Sequence, residues 1–225
     1  MKVTTDACLF GALIADQIKN EELIINELLD IGTGTALLSL MYAQKNPAAI
    51  IDSIEIGIEA AVQAKENVQS SPWKERINII NEDARAFEFG KKYDLIISNP
   101  PFYEKEIKAG SSKKNIAHHN DGLLLEELLI IIKKTLKHTG IFFLLLPYKR
   151  NEEIKRLLIK NEFEILRMIL VKQSTRHDYF RIILTGKFKT GKLTETELNE
   201  ISIWDEKQQY TSEFVELLKD YYLHL

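Results

Sequence analysis

Two consecutive prolines set the firmest limit on what this chain can form. Asp94 leads into Leu95-Ile96-Ile97, an apolar run rich in β-branched residues that reads as a buried strand, and Ser98-Asn99-Pro100-Pro101-Phe102 follows at once. Proline has no backbone N–H and a fixed φ, so no sheet ladder continues through Pro100 and Pro101. The residue ahead of a proline is pushed out of the helical region, which holds Asn99 extended. A rigid corner results at the carboxyl end of a strand. It carries one amide, one carbonyl without a ladder partner and one aromatic ring, and these suit a planar base with an exocyclic amino group. The Asn99 side-chain oxygen and the Pro100 carbonyl can accept the two N–H bonds. Phe102 offers a stacking surface, worth roughly 1–3 kcal/mol per base. Accepting from both N–H groups draws the nitrogen lone pair out of ring conjugation and aims it at an electrophile. Asn99 lacks useful basicity, so its part is positioning and polarisation. Asn-Pro-Pro also marks stiff strand-ending loops, and the corner alone leaves both readings open.

Ahead of that corner, three further strands close on acids. Leu28-Leu29-Asp30 runs into Gly32-Thr33-Gly34 and then a helix, Ala36 to Gln44. The glycines permit a tight bend and close approach to a ligand. Leu37 stands where a dinucleotide fingerprint wants a third glycine, which weakens a phosphate cradle and argues against a nicotinamide dehydrogenase. What remains is a strand, turn and helix packed on a small polar molecule, with Asp30 suited to an ammonium group. Ile50 to Ile56 is the next strand; its Glu55 lies 25 positions beyond Asp30, near the roughly 20 expected for an acid on ribose hydroxyls. A helix marked by Ala60, Ala61, Ala64 and Val68 stops before Ser71-Pro72. Ile77 to Ile80 is a third strand, with Asp83 and Ala84 beyond it, placed for an adenine amino group. Singly, each acid reads as a cap or a solvated charge. Together, Asp30, Glu55, Asp83 and Asn99 mark one rim, because open α/β sheets bind ligands outside the carboxyl ends of their strands.

The remaining pattern is helical and strand-like in alternation. Leu9, Phe10, Leu13, Ile14 and Ile18 recur at helical spacing. Asp6 sits where an N-cap would, although Thr5 and Asp6 equally suit ligand contacts. Residues 103–121 form a long loop holding Lys105, Lys113, Lys114, His118 and His119. The adjacent histidines diverge and lack companion ligands, so no metal is expected. Leu123 to Leu136 reads as an amphipathic helix ended by Gly140, Ile141 to Leu146 as a buried strand stopped at Pro147, and Lys149 to Lys160 as a basic helix. Ile165 to Val171 and Phe180 to Gly186 form a final strand pair. Leu198 to Trp204 reads as a further short strand and Phe214 to Leu223 as a closing helix.

With 225 residues, 45% hydrophobic and 28% charged, the chain can bury the core of one α/β domain, expected over 1–225. No apolar run reaches the roughly 18 residues that cross a bilayer, and no signal-peptide order opens the chain. A cytoplasmic protein without membrane contact is expected. Cys8, the sole cysteine, excludes an intrachain disulfide and reads as a small core residue. Net charge is −3, but residues 1–100 carry 9 Lys and Arg against 15 Asp and Glu, residues 101–192 carry 19 against 10, and residues 193–225 carry 2 against 8. A basic middle between acidic ends hints at a polyanion surface; solvated helix faces are the alternative, weakened because strands there carry basic residues too.

The ordered series resembles the class I S-adenosylmethionine-dependent methyltransferases. Asp30-Ile31-Gly32-Thr33-Gly34 looks like their cofactor loop, Glu55 their ribose acid, Asp83 with Ala84 their adenine contact, and Asn99-Pro100-Pro101-Phe102 their amino-methylating motif. The resemblance implies an α/β, Rossmann-like fold. Its mostly parallel seven-stranded sheet would carry an antiparallel C-terminal strand and helices on both faces. Lys2 to Asp6, Ser71-Pro72-Trp73, Glu75 to Asn78, Leu95 to Phe102, Tyr210 and Tyr221-Tyr222-Leu223 are similar to the bacterial valine-tRNA adenine-N6 methyltransferases, over nearly the whole chain. That family implies S-adenosylmethionine as cofactor and tRNA as partner, with methylation at the adenine beside the anticodon. It also implies Thr5 and Asp6 closing over the cofactor's methionine end. Lys105, Lys113, Lys114, His119, Arg150 and Arg176 are the candidate RNA contacts, and a monomer is expected. Two departures stand out: the family carries a segment ahead of the position of Met1, and it tends to show Ala-Arg-His at Ala117-His118-His119. The base must be flipped out or lie in a loop to reach the corner. A guanine-N2 methyltransferase of ribosomal RNA, a protein-glutamine N5 methyltransferase and a non-catalytic RNA-binding module of the same fold are the alternatives.

Overall fold

The computed structural model describes residues 3–20, 23–100, 123–191 and 195–224. Among them, α1 (Thr5–Asn20) leads into β1 (Glu27–Ile31), α2 (Leu37–Lys45), β2 (Ile50–Ile54), α3 (Ile58–Gln69), β3 (Ile77–Ile80) and β4 (Tyr93–Ser98). Then come α4 (Leu125–Thr135), β5 (Leu136–Pro147), a short 3-10 turn and α5 (Asn151–Lys160). The chain closes with β6 (Phe163–Ser174), β7 (Tyr179–Phe188), β8 (Glu197–Trp204) and α6 (Ser212–Leu218).

One sheet joins the strands in the order β3-β2-β1-β4-β5-β7-β6-β8. The first five are mutually parallel, β7 is antiparallel to both neighbours, and β8 runs parallel to β6. This is the expected α/β class, and the strand from Leu198 to Trp204 joins the sheet as an eighth member. Strand residues alternate between two cores, as a sheet covered on both faces requires. Ile141, Phe143 and Leu145 pack with α1, α2, α3 and α6; Phe142, Leu144 and Leu146 pack with α4 and α5. Arg76 fastens one helix end: its guanidinium donates to the carbonyls of Ala43, Asn46 and Ala49 at 2.7–3.0 Å, where α2 finishes.

Several boundaries differ from the pattern reading: β2 already ends at Ile54, and β5 and β6 run longer than their apolar runs. Helix α4 ends at Thr135, and Gly140 lies inside β5. A Cβ there would stand 2.9 Å from the Asp94 carbonyl, so this glycine permits close strand approach and does not stop a helix. Asp6 lies in the first turn of α1, one residue past its start. Helix α6 stops at Leu218, after which Tyr221 and Tyr222 pack against the first core; their aromatic spacing mimicked another helical turn.

Gly186 faces Phe142 across the β5–β7 pair, and an added Cβ would meet that ring at 2.4 Å. Both residues sit in a close-packed layer with no room to yield. Gly186→Ala is expected to destabilise the protein by about 1–3 kcal/mol, read as a lowered urea midpoint with an unchanged slope.

Candidate functional site

Chain order reverses between β1 and β4: from β1 the path goes outward to β2 and β3, then returns to begin the other half at β4. Ligands of open α/β sheets bind at such a switch point. Ile31 is paired with Ser98 there. The Ser98 hydroxyl, fully buried, donates to the Ile31 carbonyl at 2.7 Å and ties the two strand ends together. Gly32 and Asn99, the next residues on each strand, therefore leave neighbouring strands at one rim, roughly 5 Å apart by strand spacing. Asn99 is half-buried and Pro100 buried.

Past Ile31 the chain bends sharply. Gly32 and Gly34 have φ of 73° and 59°, a region L-residues rarely enter. The Gly32 and Thr33 N–H groups donate to the Ile54 carbonyl at 2.9 and 3.1 Å. Nothing lies within 4 Å of where a Gly32 Cβ would stand, so open space fronts the turn. Ala36 also adopts a left-handed φ of 64°, fully buried, directly before α2.

Asp30 is wholly buried beneath this turn. Its Oδ2 accepts from the Thr33 hydroxyl at 2.6 Å and the Ser39 hydroxyl at 2.7 Å. Among the described residues its Oδ1 has no partner. Burial pushes its carboxyl up to about 6; the Thr33 and Ser39 donors oppose the shift and the nearby charge of Glu55 adds to it. Glu55, one residue past β2, accepts the Gly34 N–H at 2.9 Å and the Gly57 N–H at 2.8 Å. It braces the turn, and its oxygens keep lone pairs for further donors.

Asp83 follows β3. It accepts the Arg85 backbone N–H at 2.9 Å, and the Arg85 guanidinium grips both its oxygens at 2.7–3.0 Å. Ala84 beside it packs on the second core. On α1, Asp6 accepts the Arg181 Nε–H at 2.8 Å and the Ala7 N–H at 3.1 Å. Burial alone would raise the Asp6 carboxyl, but the Thr4 hydroxyl, Arg181 and Ala7 together hold it below its ordinary value. Thr5 is half-buried at the start of the same helix.

Asp30, Gly32, Gly34, Glu55 and Asn99 thus share one rim with Pro100, and Asp83 and Ala84 extend it past β3. Arg150 stands just beyond β5 and is paired with Glu153 at 2.7 Å. Arg176 lies on the β6–β7 hairpin. Pro101, Phe102, Lys105, Lys113, Lys114 and His119 fall outside the described residues. Pattern reading missed the hydroxyls of Thr33, Ser39 and Ser98, although the first two lie only three and nine positions beyond Asp30. Arg181, 175 positions from Asp6, gives no local signal. Among the described residues no group of three or more His, Cys, Asp or Glu is placed to hold a metal ion, and no helix is long and apolar enough to cross a membrane.

The unpaired buried carboxylate oxygen, the open space before Gly32 and the braced Glu55 fit a ligand with a cationic group and ribose hydroxyls. Comparisons point the same way. The family described as Methyltransferase small domain matches residues 11–167. A Bacteroides thetaiotaomicron protein named tRNA1(Val) (adenine(37)-N6)-methyltransferase is 36% identical over 227 residues, covering 100% of this chain and 92% of that protein. Relatives of the same name from Dyadobacter fermentans and Yersinia enterocolitica are 38% and 33% identical, covering 99% and 100% of this chain and 91% and 87% of theirs. Among solved structures, a predicted O-methyltransferase from Agrobacterium tumefaciens superposes with a TM-score of 0.70 at 16% identity over 95% of both chains. An S-adenosylmethionine-dependent methyltransferase from Clostridium acetobutylicum gives 0.60 at 12% identity over 80% of this chain and 91% of that one. These last two likenesses concern the fold.

The raised Asp30 value has a testable sign. Between the ordinary 3.8 and about 6 the folded protein binds more protons at this site than the unfolded chain. Stability contributed here is therefore greatest at low pH, falls as pH rises to about 6, and is level above. Asp30→Asn should remove that decline, about 3 kcal/mol for a shift of about two units, seen as a flatter pH dependence of urea unfolding without ligand.

Proposed function

The chain belongs to the Methyltransferase small domain family and to the bacterial tRNA1(Val) (adenine(37)-N6)-methyltransferases, and on that premise we propose that it methylates N6 of adenine 37 in valine tRNA, with S-adenosylmethionine as donor. One observation carries the reading: the buried, half-satisfied Asp30 carboxylate and the Asn99-Pro100 corner stand on adjacent strands at the sheet's switch point.

Bound S-adenosylmethionine supplies an electrophilic methyl group on a sulfonium centre. The residues of this chain do the rest by binding and orientation. Glu55, braced by two backbone N–H groups, accepts from ribose hydroxyls. Asp30 presents a buried negative oxygen to the cofactor's cationic end. Gly32 and Gly34 let the backbone approach closely, and Asp83 with Ala84 borders the adenine. Thr5 and Asp6, the latter secured by Arg181, bound the site from the α1 side.

For the substrate base, the Asn99 amide oxygen and the Pro100 carbonyl accept from the exocyclic amino group. Its lone pair is then turned away from the ring, and neither group needs to remove a proton before attack. Pro101 keeps the corner rigid, and Phe102 stacks on the base. Most of the acceleration then derives from positioning. Lys105, Lys113, Lys114, His119, Arg150 and Arg176 are the proposed RNA contacts. A cytoplasmic monomer, folded as one domain over 1–225, completes the reading.

The test is methyl transfer to bulk unmodified tRNA followed by nucleoside analysis. Wild type should yield N6-methyladenosine, and Asn99→Ala should lose on the order of 100-fold in rate while its affinity for the cofactor stays close to wild type. Equal rates for both proteins would remove Asn99 from the chemistry, and N2-methylguanosine as product would move the chain to guanine methylation.

A further inference from the structure

A cavity of about 480 Å3 opens between the β6–β7 hairpin and the end of β8. Trp204, Gln173, Gln208, Arg176, His177 and Glu206 line it. Its size falls within the roughly 300–1,000 Å3 usual for small-ligand sites. Position ties it to the methylation rim. Ser98 is level in the sheet with Leu144, Leu184, Met168 and Leu198. Strand β8 runs in the same direction as β4, and Trp204 is six residues beyond Leu198. Trp204 thus closes β8 on the same edge of the sheet as Asn99 closes β4, four strands away, which is roughly 19 Å across the sheet.

Trp204 is the outer ring of an aromatic column. It stacks on Tyr210 with centroids 4.1 Å apart and planes at 21°, and Tyr210 stacks on Phe214 at 4.6 Å and 15°. Phe214 is fully buried, which anchors the column in the core. The Thr175 N–H donates to the Trp204 carbonyl at 3.0 Å and joins the hairpin to the platform. Ser174 shapes the hairpin tip, with its hydroxyl 2.6 Å from His177 Nδ1. Gln173, Gln208 and Glu206 supply amide and carboxylate groups of the kind that read base edges. Arg176 is paired with Glu206 at 3.8 Å, but both side chains are about 70% exposed, so the pair is weak and yields readily.

We propose that this cavity is a nucleobase subsite for a single-stranded RNA nucleotide other than the methylated adenine, with Trp204 as the stacking platform and Arg176 at the adjoining phosphate. An aromatic face beside an arginine and edge-reading amides is how unpaired bases are held, and its place on the same edge of the sheet as the rim, four strands away, suits an RNA long enough to reach both. The inference rests on the tRNA reading above and adds a residue-level determinant to it.

Two readouts test it. In steady-state methylation of unmodified tRNA, Trp204→Ala should raise KM for tRNA about tenfold, with kcat and KM for S-adenosylmethionine unchanged, while Trp204→Phe stays near wild type. Arg176→Ala, at an exposed position, should raise the same KM and lessen its salt dependence. Separately, an anticodon stem-loop RNA should quench the intrinsic fluorescence of wild type, and Trp204→Phe should abolish most of that quenching. Unchanged tRNA KM in Arg176→Ala together with equal quenching in Trp204→Phe would overturn the subsite, even with methylation intact. Quenching that depends on Trp204 in a protein that methylates no tRNA would keep the subsite and overturn the methyl-transfer reading instead.

Discussion

The pairing of β1 with β4 governs everything at the rim. Ile31 and Ser98 end their strands side by side, and one buried hydroxyl bond holds them level. A slip of a single residue would turn Asp30 from the α2 side of the sheet to the α4 side, since side chains alternate. The hydroxyls of Thr33 and Ser39 would then lose their acceptor, and the Gly32 turn would no longer flank Asn99. Register, set by apolar packing in two separate cores, is thus what brings an acid and an amide to one rim.

Electrostatics along the chain look different once folded. The basic middle and acidic end are far less separate in space than in sequence. Strand β8 brings Glu197 to Arg167 at 2.7 Å and Glu200 to Lys172 at 3.5 Å. Lys160 meets Glu126 at 2.5 Å, and Arg150, Lys155 and Lys187 each meet a carboxylate of the middle segment itself. Most of these are exposed pairs of small energy. They lower the local positive potential without abolishing it, so recognition of a polyanion here leans on placed groups more than on a broad field.

Much of the rim was legible because each member sits at a strand end, and strand ends are marked by abrupt changes of residue type: Asp30 before Gly32, Glu55 before Gly57, Asn99 before Pro100. The class of fold followed from the alternation of apolar runs with helical spacing. Partners were less legible. Arg181 reaches Asp6 only because β7 inserts between β5 and β6, an arrangement no local pattern encodes. Ser98 gave no signal beyond the apolar run that ends at Ile97, and its bond to Ile31 depends on tertiary register. Gly140 carried the signature of a helix stop, yet its small size serves strand contact. The tyrosines after Leu218 mimicked helical periodicity because they too face the first core.

Ala36 bears on how the turn behaves when a ligand arrives. Its methyl group is immersed in the core while its backbone holds a left-handed conformation that costs about 1–2 kcal/mol. Packing, rather than intrinsic preference, therefore sets the shape of the loop. Such a loop has little freedom left to surrender, and the entropy penalty of docking falls mainly on the incoming molecule. The turn works as a fixed mould, to which a flexible cofactor must conform.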